Sequence, residues 1–243
     1  RRRRGRMSVA AAAARGLDIA SIRNPAVKEL LRLRTGGRRI RHQKGLVLVR
    51  GRQLIQTIGE FFKFRKVLTY EEPEAFGQYN AEKVLRADKA ALKHILFAQN
   101  WEAQRKSARL ERQGDDELVV GCIEQPREAS FALAAPEAEG GPGADERPPP
   151  LRRLLAIDGV KHPENMGMLL STAVALRYSG VFLSGNCVDP FNHKVLEISQ
   201  AVAWTMPYRY GTTDELLEIC KRHRLATCVA QSAAAAAQTG GPP

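Results

Sequence analysis

The run Asp158-Gly159-Val160-Lys161-His162-Pro163-Glu164-Asn165-Met166-Gly167 gathers acids, cations, an imidazole and a carboxamide between two apolar stretches. Glycine and proline fix such a loop. A helix opening near Glu164-Asn165 presents N–H groups that have no intrahelical partner and favour an anion. The Asn165 amide can orient a hydroxyl or a phosphate there, and Gly167 allows close approach to the backbone. The plainer alternative is an ordinary strand–loop–helix connection with Asn165 as its cap. Neither G-x-G-x-x-G nor G-x-x-x-x-G-K-[ST] occurs, so dinucleotide and triphosphate binding are not signalled.

A second set of chemically capable side chains lies near the start. Arg23, Arg32, Arg34, Arg38, Arg39, Arg41, Lys44, Arg50 and Arg52 crowd a short span interrupted by Gly36-Gly37. Residues 1 to 65 hold 18 Lys or Arg against Asp18, Glu29 and Glu60, a balance of +15, while the whole chain is at +12. The remainder is therefore at −3, so the excess positive charge sits in the first quarter. Phosphate attraction supplies most non-specific nucleic-acid affinity, which makes the cluster an RNA-binding candidate. A solvated helix and loop surface is the bland alternative. Arg23, Asn24, Arg38, Arg39, Arg41, Lys44, Arg50 and Arg52 are the expected RNA contacts. No aromatic residue interleaves them, so shape and phosphate recognition is expected rather than base stacking.

Metal chemistry is not signalled. Cys122, Cys187, Cys220 and Cys228 form no Cys-x-x-Cys pair and the five histidines form no His-x-x-x-His pair, so no metal site is expected. No apolar run reaches the length of a membrane span. The opening RRRRGRMSVAAAAARGLD has the composition of an organelle transit peptide, which makes a chloroplast or mitochondrial address the expectation.

The elements that must position these residues are those of an α/β protein. In residues 19 to 131 strands are expected at Leu46 to Val49, Lys66 to Thr69, His94 to Phe97 and Leu118 to Ile123, with helices at Gln53 to Phe62 and Trp101 to Arg112. Residues 132 to 150, rich in proline, glycine and acids, read as a linker. A second unit over 151 to 231 alternates strand and helix. Strands are expected at Leu154 to Asp158, Val181 to Leu183 and Leu225 to Ala230, and helices from Glu164 to Leu176, Asn192 to Gln200 and Thr213 to Arg222. That repetition predicts a parallel sheet with its ligand site beyond the strand carboxyl ends. Residues 1 to 18 and 232 to 243 read as a leader and a tail outside the fold.

The segment LLAIDGVKHPENMGMLLSTAVALRYSGVFLSGNCVDPFNHKVLEISQAVAWTMP resembles the first half of the methyltransferase domain of the SpoU–TrmH family. That family belongs to the SPOUT superfamily of knotted RNA 2′-O-ribose methyltransferases. Its pattern is a strand ending in Asp, a loop with Pro, then Asn-x-Gly-x-x-x-Arg opening a helix. The Asp-Pro-Phe-Asn run, Asp189 to Asn192, resembles plant members. IASIRNPAVKELLRLR and RRIRHQKGLVLVRGRQLIQTI are similar to the family's small α/β substrate-binding domain. The resemblance implies a small α/β domain followed by a partial parallel-sheet methyltransferase domain, with S-adenosylmethionine as methyl donor, ribosomal or transfer RNA as substrate and a homodimer as the assembly. It implies catalytic positions at Asn165 and Ser171 and cofactor contacts at Gly167 and Ser199.

The departures are specific. The family Arg, credited with activating the ribose hydroxyl, aligns with Ser171, and a neutral hydroxyl cannot offer phosphate a charged fork. The run Arg-Ala-Ser-x-Gly-Ala appears as Glu197-Ile198-Ser199-Gln200-Ala201-Val202, acidic where the family is basic. The motifs that thread the knot and wall the cofactor do not follow Ala230. The chain therefore reads as incomplete or catalytically weakened, the competing expectation being an RNA-binding paralogue without activity.

Overall fold

The structure is a computed structural model that describes residues 18–97, 118–129, 131 and 151–230. The expected leader (apart from Asp18), the helix at Trp101 to Arg112, the linker and the tail lie outside these residues.

The early basic run folds as two helices, α1 (Pro25–Thr35) and α2 (Gly37–Lys44). Pro25 at the first position and the Asn24 side chain, which accepts the Ala26 N–H at 2.9 Å, start α1. Val27, Leu30 and Leu33 form its buried face. Gly36 separates the helices at a point where a Cβ would lie 2.4 Å from Ile40 Cγ1, so the junction is tight. Strand β1 (Leu46–Arg50) follows, then α3 (Arg52–Gly59), β2 (Lys66–Thr69), a 3-10 turn (Pro73–Gln78), β3 (Val84–Arg86), α4 (Lys89–Phe97) and β4 (Val120–Glu124). The sheet order is β1-β4-β2-β3. β4 is antiparallel to both neighbours, and β2 and β3 are parallel.

Alternation along the strands sends Leu46, Leu48, Leu68, Val120 and Cys122 to one face, against α1 and α4. Val47, Val49, Val67 and Ile123 face the other way, toward Leu54, Ile55 and Ile58 of α3. One expectation is corrected here. His94 to Phe97 is the end of helix α4, because Ala91, Leu92, Ile95 and Leu96 recur at helical spacing and are all buried.

The second unit is a parallel sheet of β5 (Leu154–Ile157), β6 (Gly180–Ser184) and β7 (Tyr208–Gly211), in that order. Helices α5 (Pro163–Ala175) and α6 (His193–Ile198) cover one face through Met166, Leu170, Val195 and Leu196, which meet Val181 and Leu183. Helix α7 (Thr213–Arg222), opened by a Thr212–Glu215 capping box, covers the other through Ile219 on Phe182 and Phe131. Residues 225 to 230 form no strand, which corrects a second expectation. Leu225 donates its N–H to Cys220 O, and residues 226 to 230 are exposed with no neighbouring ladder.

The two sheets share one core. Val47, Val49, Ile55 and Ile123 of the first belong to the same buried cluster as Ile157, Met166, Phe191 and Val195 of the second. The segment after β4 fastens the join. Ala129 N–H donates to Tyr208 O at 2.8 Å, and Tyr208 Oη donates to Pro126 O at 2.8 Å.

Candidate functional site

Beyond the carboxyl ends of β5 and β6, two loops are stitched together. Gly159, at φ +67° where glycine is favoured, donates its N–H to Ser184 Oγ (3.3 Å) and Asn186 Oδ1 (3.2 Å). Ser184 Oγ donates to Asn186 Oδ1 at 2.5 Å, Cys187 Sγ donates to Ile157 O at 3.2 Å, and Val188 N–H donates to Val160 O at 2.7 Å. Asp158, Lys161, His162, Glu164 and Asn165 remain exposed around this floor.

Pro163 is the first residue of α5, so the cap position is His162, whose side chain makes no capping bond. Asn165 is therefore inside the first turn and does not cap the helix. Its amide is exposed, makes no hydrogen bond among the described residues, and sits beside the free N–H groups of the helix start. The arrangement can take an oxygen-rich anionic or hydroxyl ligand.

Gly167 is where two helices meet. It is buried, and a Cβ would lie 2.7 Å from Ile198 Cγ2 and 3.3 Å from Val195 O, so its missing side chain lets α5 and α6 touch. Ser171 is half-buried and donates to Gly167 O at 3.0 Å, which engages its hydroxyl on its own helix. Ser199 closes α6, fully buried, with an Oγ that has no partner. Gln200 and Ala201 follow at φ +50° and +61°.

The basic cluster divides in two. Arg23, Arg39 and Lys44 are exposed and unpaired among the described residues, and Lys28 and Arg32, one turn apart on α1, join them. Lys28 was not singled out in the sequence, although its spacing from Arg32 on a helix was readable. The other cations face inward. Arg41, expected on RNA, is 3% exposed and grips Asp189 at 2.6 Å; this is a correction, and its cause is burial between the two sheets' units. Arg50 pairs with Glu197 at 2.8 Å and Arg52 with Glu71 at 2.5 Å. Arg38 lies 4.4 Å over the Tyr210 ring, and Arg34 donates to Ile95 O at 2.7 Å. Asn24, also expected on RNA, is the cap of α1.

The join also holds His193, the first residue of α6. Burial, then the charges of Arg34, Arg50, Lys194 and Arg41, pull its pKa down to about 3, so the ring is neutral. Burial pushes the Tyr208 hydroxyl up to about 12. The Asp189 to Asn192 run is structural here. Asp189 holds Arg41, Phe191 packs edge-on to Trp204 and Tyr208, and Asn192 caps α6 by accepting the Lys194 N–H at 2.9 Å.

Residues 152–239 match the SpoU rRNA Methylase family model. An uncharacterized tRNA/rRNA methyltransferase of Synechocystis sp. is 39% identical over 61 residues, 25% of this chain and 22% of that protein's length. The match thus spans well under two thirds of the curated relative. Among solved structures, an AdoMet-bound rRNA methyltransferase from Sinorhizobium meliloti superposes with a TM-score of 0.58 at 18% identity, covering 84% of this chain and 67% of that one. The SpoU methyltransferase AviRb from Streptomyces viridochromogenes, in complex with AdoMet, gives 0.57 at 18% identity over 83% and 69%. These likenesses establish the fold alone: a mixed α/β protein with a parallel sheet, shared with those solved structures.

Proposed function

We propose that this chain, whose residues 152–239 match the SpoU rRNA Methylase family model, is an RNA-binding protein of the SpoU–TrmH type. Its reaction class is 2′-O-ribose methylation of ribosomal or transfer RNA. The observation that carries this reading is one juxtaposition. The exposed Asn165 at the free end of α5 stands in a body that also presents an unpaired basic face on α1 and α2.

S-adenosylmethionine is the donor implied, since neighbours of this fold bind AdoMet; it would supply an electrophilic methyl group. The residues that fit it are at the end of α6, where the Ser199 hydroxyl is buried and without a partner beside the left-handed Gln200–Ala201 turn. Gly167 packs under Ile198, the residue before Ser199. Asn165 would orient the ribose hydroxyl or an adjoining phosphate oxygen by donating its amide N–H, and the free N–H groups of α5 would hold the anion.

A second reading, RNA binding without turnover, is favoured by two observations. At the position of the family Arg, the Ser171 hydroxyl is engaged by Gly167 O, and Glu197, in place of another Arg, is clasped by Arg50. The test is methyl transfer from radiolabelled cofactor to ribosomal RNA alongside filter binding of the same RNA. The expected outcome is salt-sensitive binding with no measurable transfer by the 243-residue chain. Robust transfer by the unaltered chain would refute the reading that the missing Arg and the missing cofactor-walling motifs disable it, and loss of binding would refute the RNA reading.

A further inference from the structure

Helix α2 carries cations of two kinds. Arg39 and Lys44 face solvent, whereas Arg41 enters the seam between the two units. There Arg41 Nε donates to Asp189 Oδ2 at 2.7 Å and its Nη1 to Leu33 O at 3.1 Å, with the side chains of the pair 3% and 4% exposed. The other Asp189 oxygen accepts the Phe191 N–H at 2.9 Å. The preceding residue, Val188, donates its N–H to Val160 O, inside the loop that leads to Asn165. One ion pair and one backbone hydrogen bond therefore join the solvent-facing cations of α2 to the strand-end loop. Arg50–Glu197, Arg38 on Tyr210, and Gln125 Nε2 donating to Tyr208 Oη brace the same seam.

A buried ion pair adds little net stability compared with apolar residues of the same volume, and its best-attested use is to fix register. We propose that this seam is a ruler: the protein takes RNA as a prefolded element. One part of the RNA backbone meets Arg39 and Lys44 while another reaches the Asp158–Asn165 loop, at a separation the protein does not adjust. This rests on the reading of α1–α2 as the RNA contact. A flexible strand must be ordered to satisfy both contacts at once, whereas a folded element is ordered beforehand. Arg41 and Asp189 act as positioning residues that touch no RNA.

The experiment compares a ribosomal RNA stem–loop with a scrambled, unstructured strand of equal length and composition. Each is bound by the unaltered chain, by Arg41→Lys and by the double variant Arg41→Met/Asp189→Leu, whose apolar pair keeps the seam filled. The unaltered chain is expected to prefer the stem–loop by at least about tenfold, the scale that two preorganised contacts supply. In the double variant that preference falls below about twofold while affinity for the unstructured strand is retained. Arg41→Lys, which keeps the charge but not the planar fork, falls between. Retention of the full preference by the double variant, or binding without preference by the unaltered chain, overturns the ruler alone. Failure of the unaltered chain to bind either RNA overturns the RNA reading and the ruler with it.

Discussion

At Ala201 the backbone sits at φ +61°, ψ +19°, a left-handed conformation that costs a side chain about 1 kcal/mol. The family run has Gly at this place, and the side chain here is buried and fixed. Ala201→Gly is therefore expected to stabilise the fold by about 0.5–1 kcal/mol, after allowing for the greater freedom of glycine when unfolded; equilibrium urea denaturation measures it. His193 gives a pH signature. Its ring stays neutral down to about pH 3, against an ordinary value of 6.5, so between those values the unfolded chain binds a proton that the folded chain refuses. The stability present above pH 6.5 is lost progressively as pH falls toward 3. His193→Gln should show a smaller drop in urea midpoint between about pH 7 and about pH 4 than the unaltered chain. What was readable at this scale was the Asp158–Gly167 run itself. The cap was misplaced at Asn165, although the preference of proline for the first helical position points to His162. Arg41 was not readable, because its partner lies 148 residues away and nothing local distinguishes it from Arg39.

Among the elements, α1 and α2 show how a charge run can be half surface and half scaffold. Lys28 and Arg32 lie on the face opposite Leu30 and Leu33, and on α2 Arg39 and Lys44 point away from the seam that takes Arg41. Replacing Arg32, Arg39 and Lys44 by Ala is expected to weaken RNA binding and lower the slope of log affinity against log salt by up to about one per lost phosphate contact, with little change in melting temperature. Arg41→Ala should do the reverse. It strands a buried carboxylate at a cost of about 3–5 kcal/mol, which thermal denaturation would register as a large fall in melting temperature. The sequence placed β1, β2, β6 and α7 within a residue or so because their apolar patterns match their periods. It misplaced His94 to Phe97, where the apolar positions suit either period over so few residues, and Leu225 to Ala230, where propensity exists without a neighbouring strand. β7 went unread because Tyr208 and Tyr210 are packed by the segment after β4, a contact that no window of the chain displays.

For the whole molecule, the separation into two units was expected from composition, but the buried cluster crosses between them without a break. Cooperative unfolding follows. Amides of Val47 to Arg50 in the first sheet and of Val181 to Leu183 in the second should exchange through openings of the same free energy, measured by hydrogen exchange in low denaturant. Two distinct free energies would show that the units come apart independently.

The salt bridge across the join also bears on synthesis. As the polypeptide leaves the ribosome, α2 emerges well before the loop that supplies Asp189, and until then the Arg41 guanidinium has no carboxylate to receive it. A nascent first unit must keep that patch wet, with its apolar β1 face uncovered, while the rest is translated. Completion of the amino-terminal half thus waits on the carboxyl-terminal half, and a chain released early would expose a sticky, positively charged surface suited to chaperone capture.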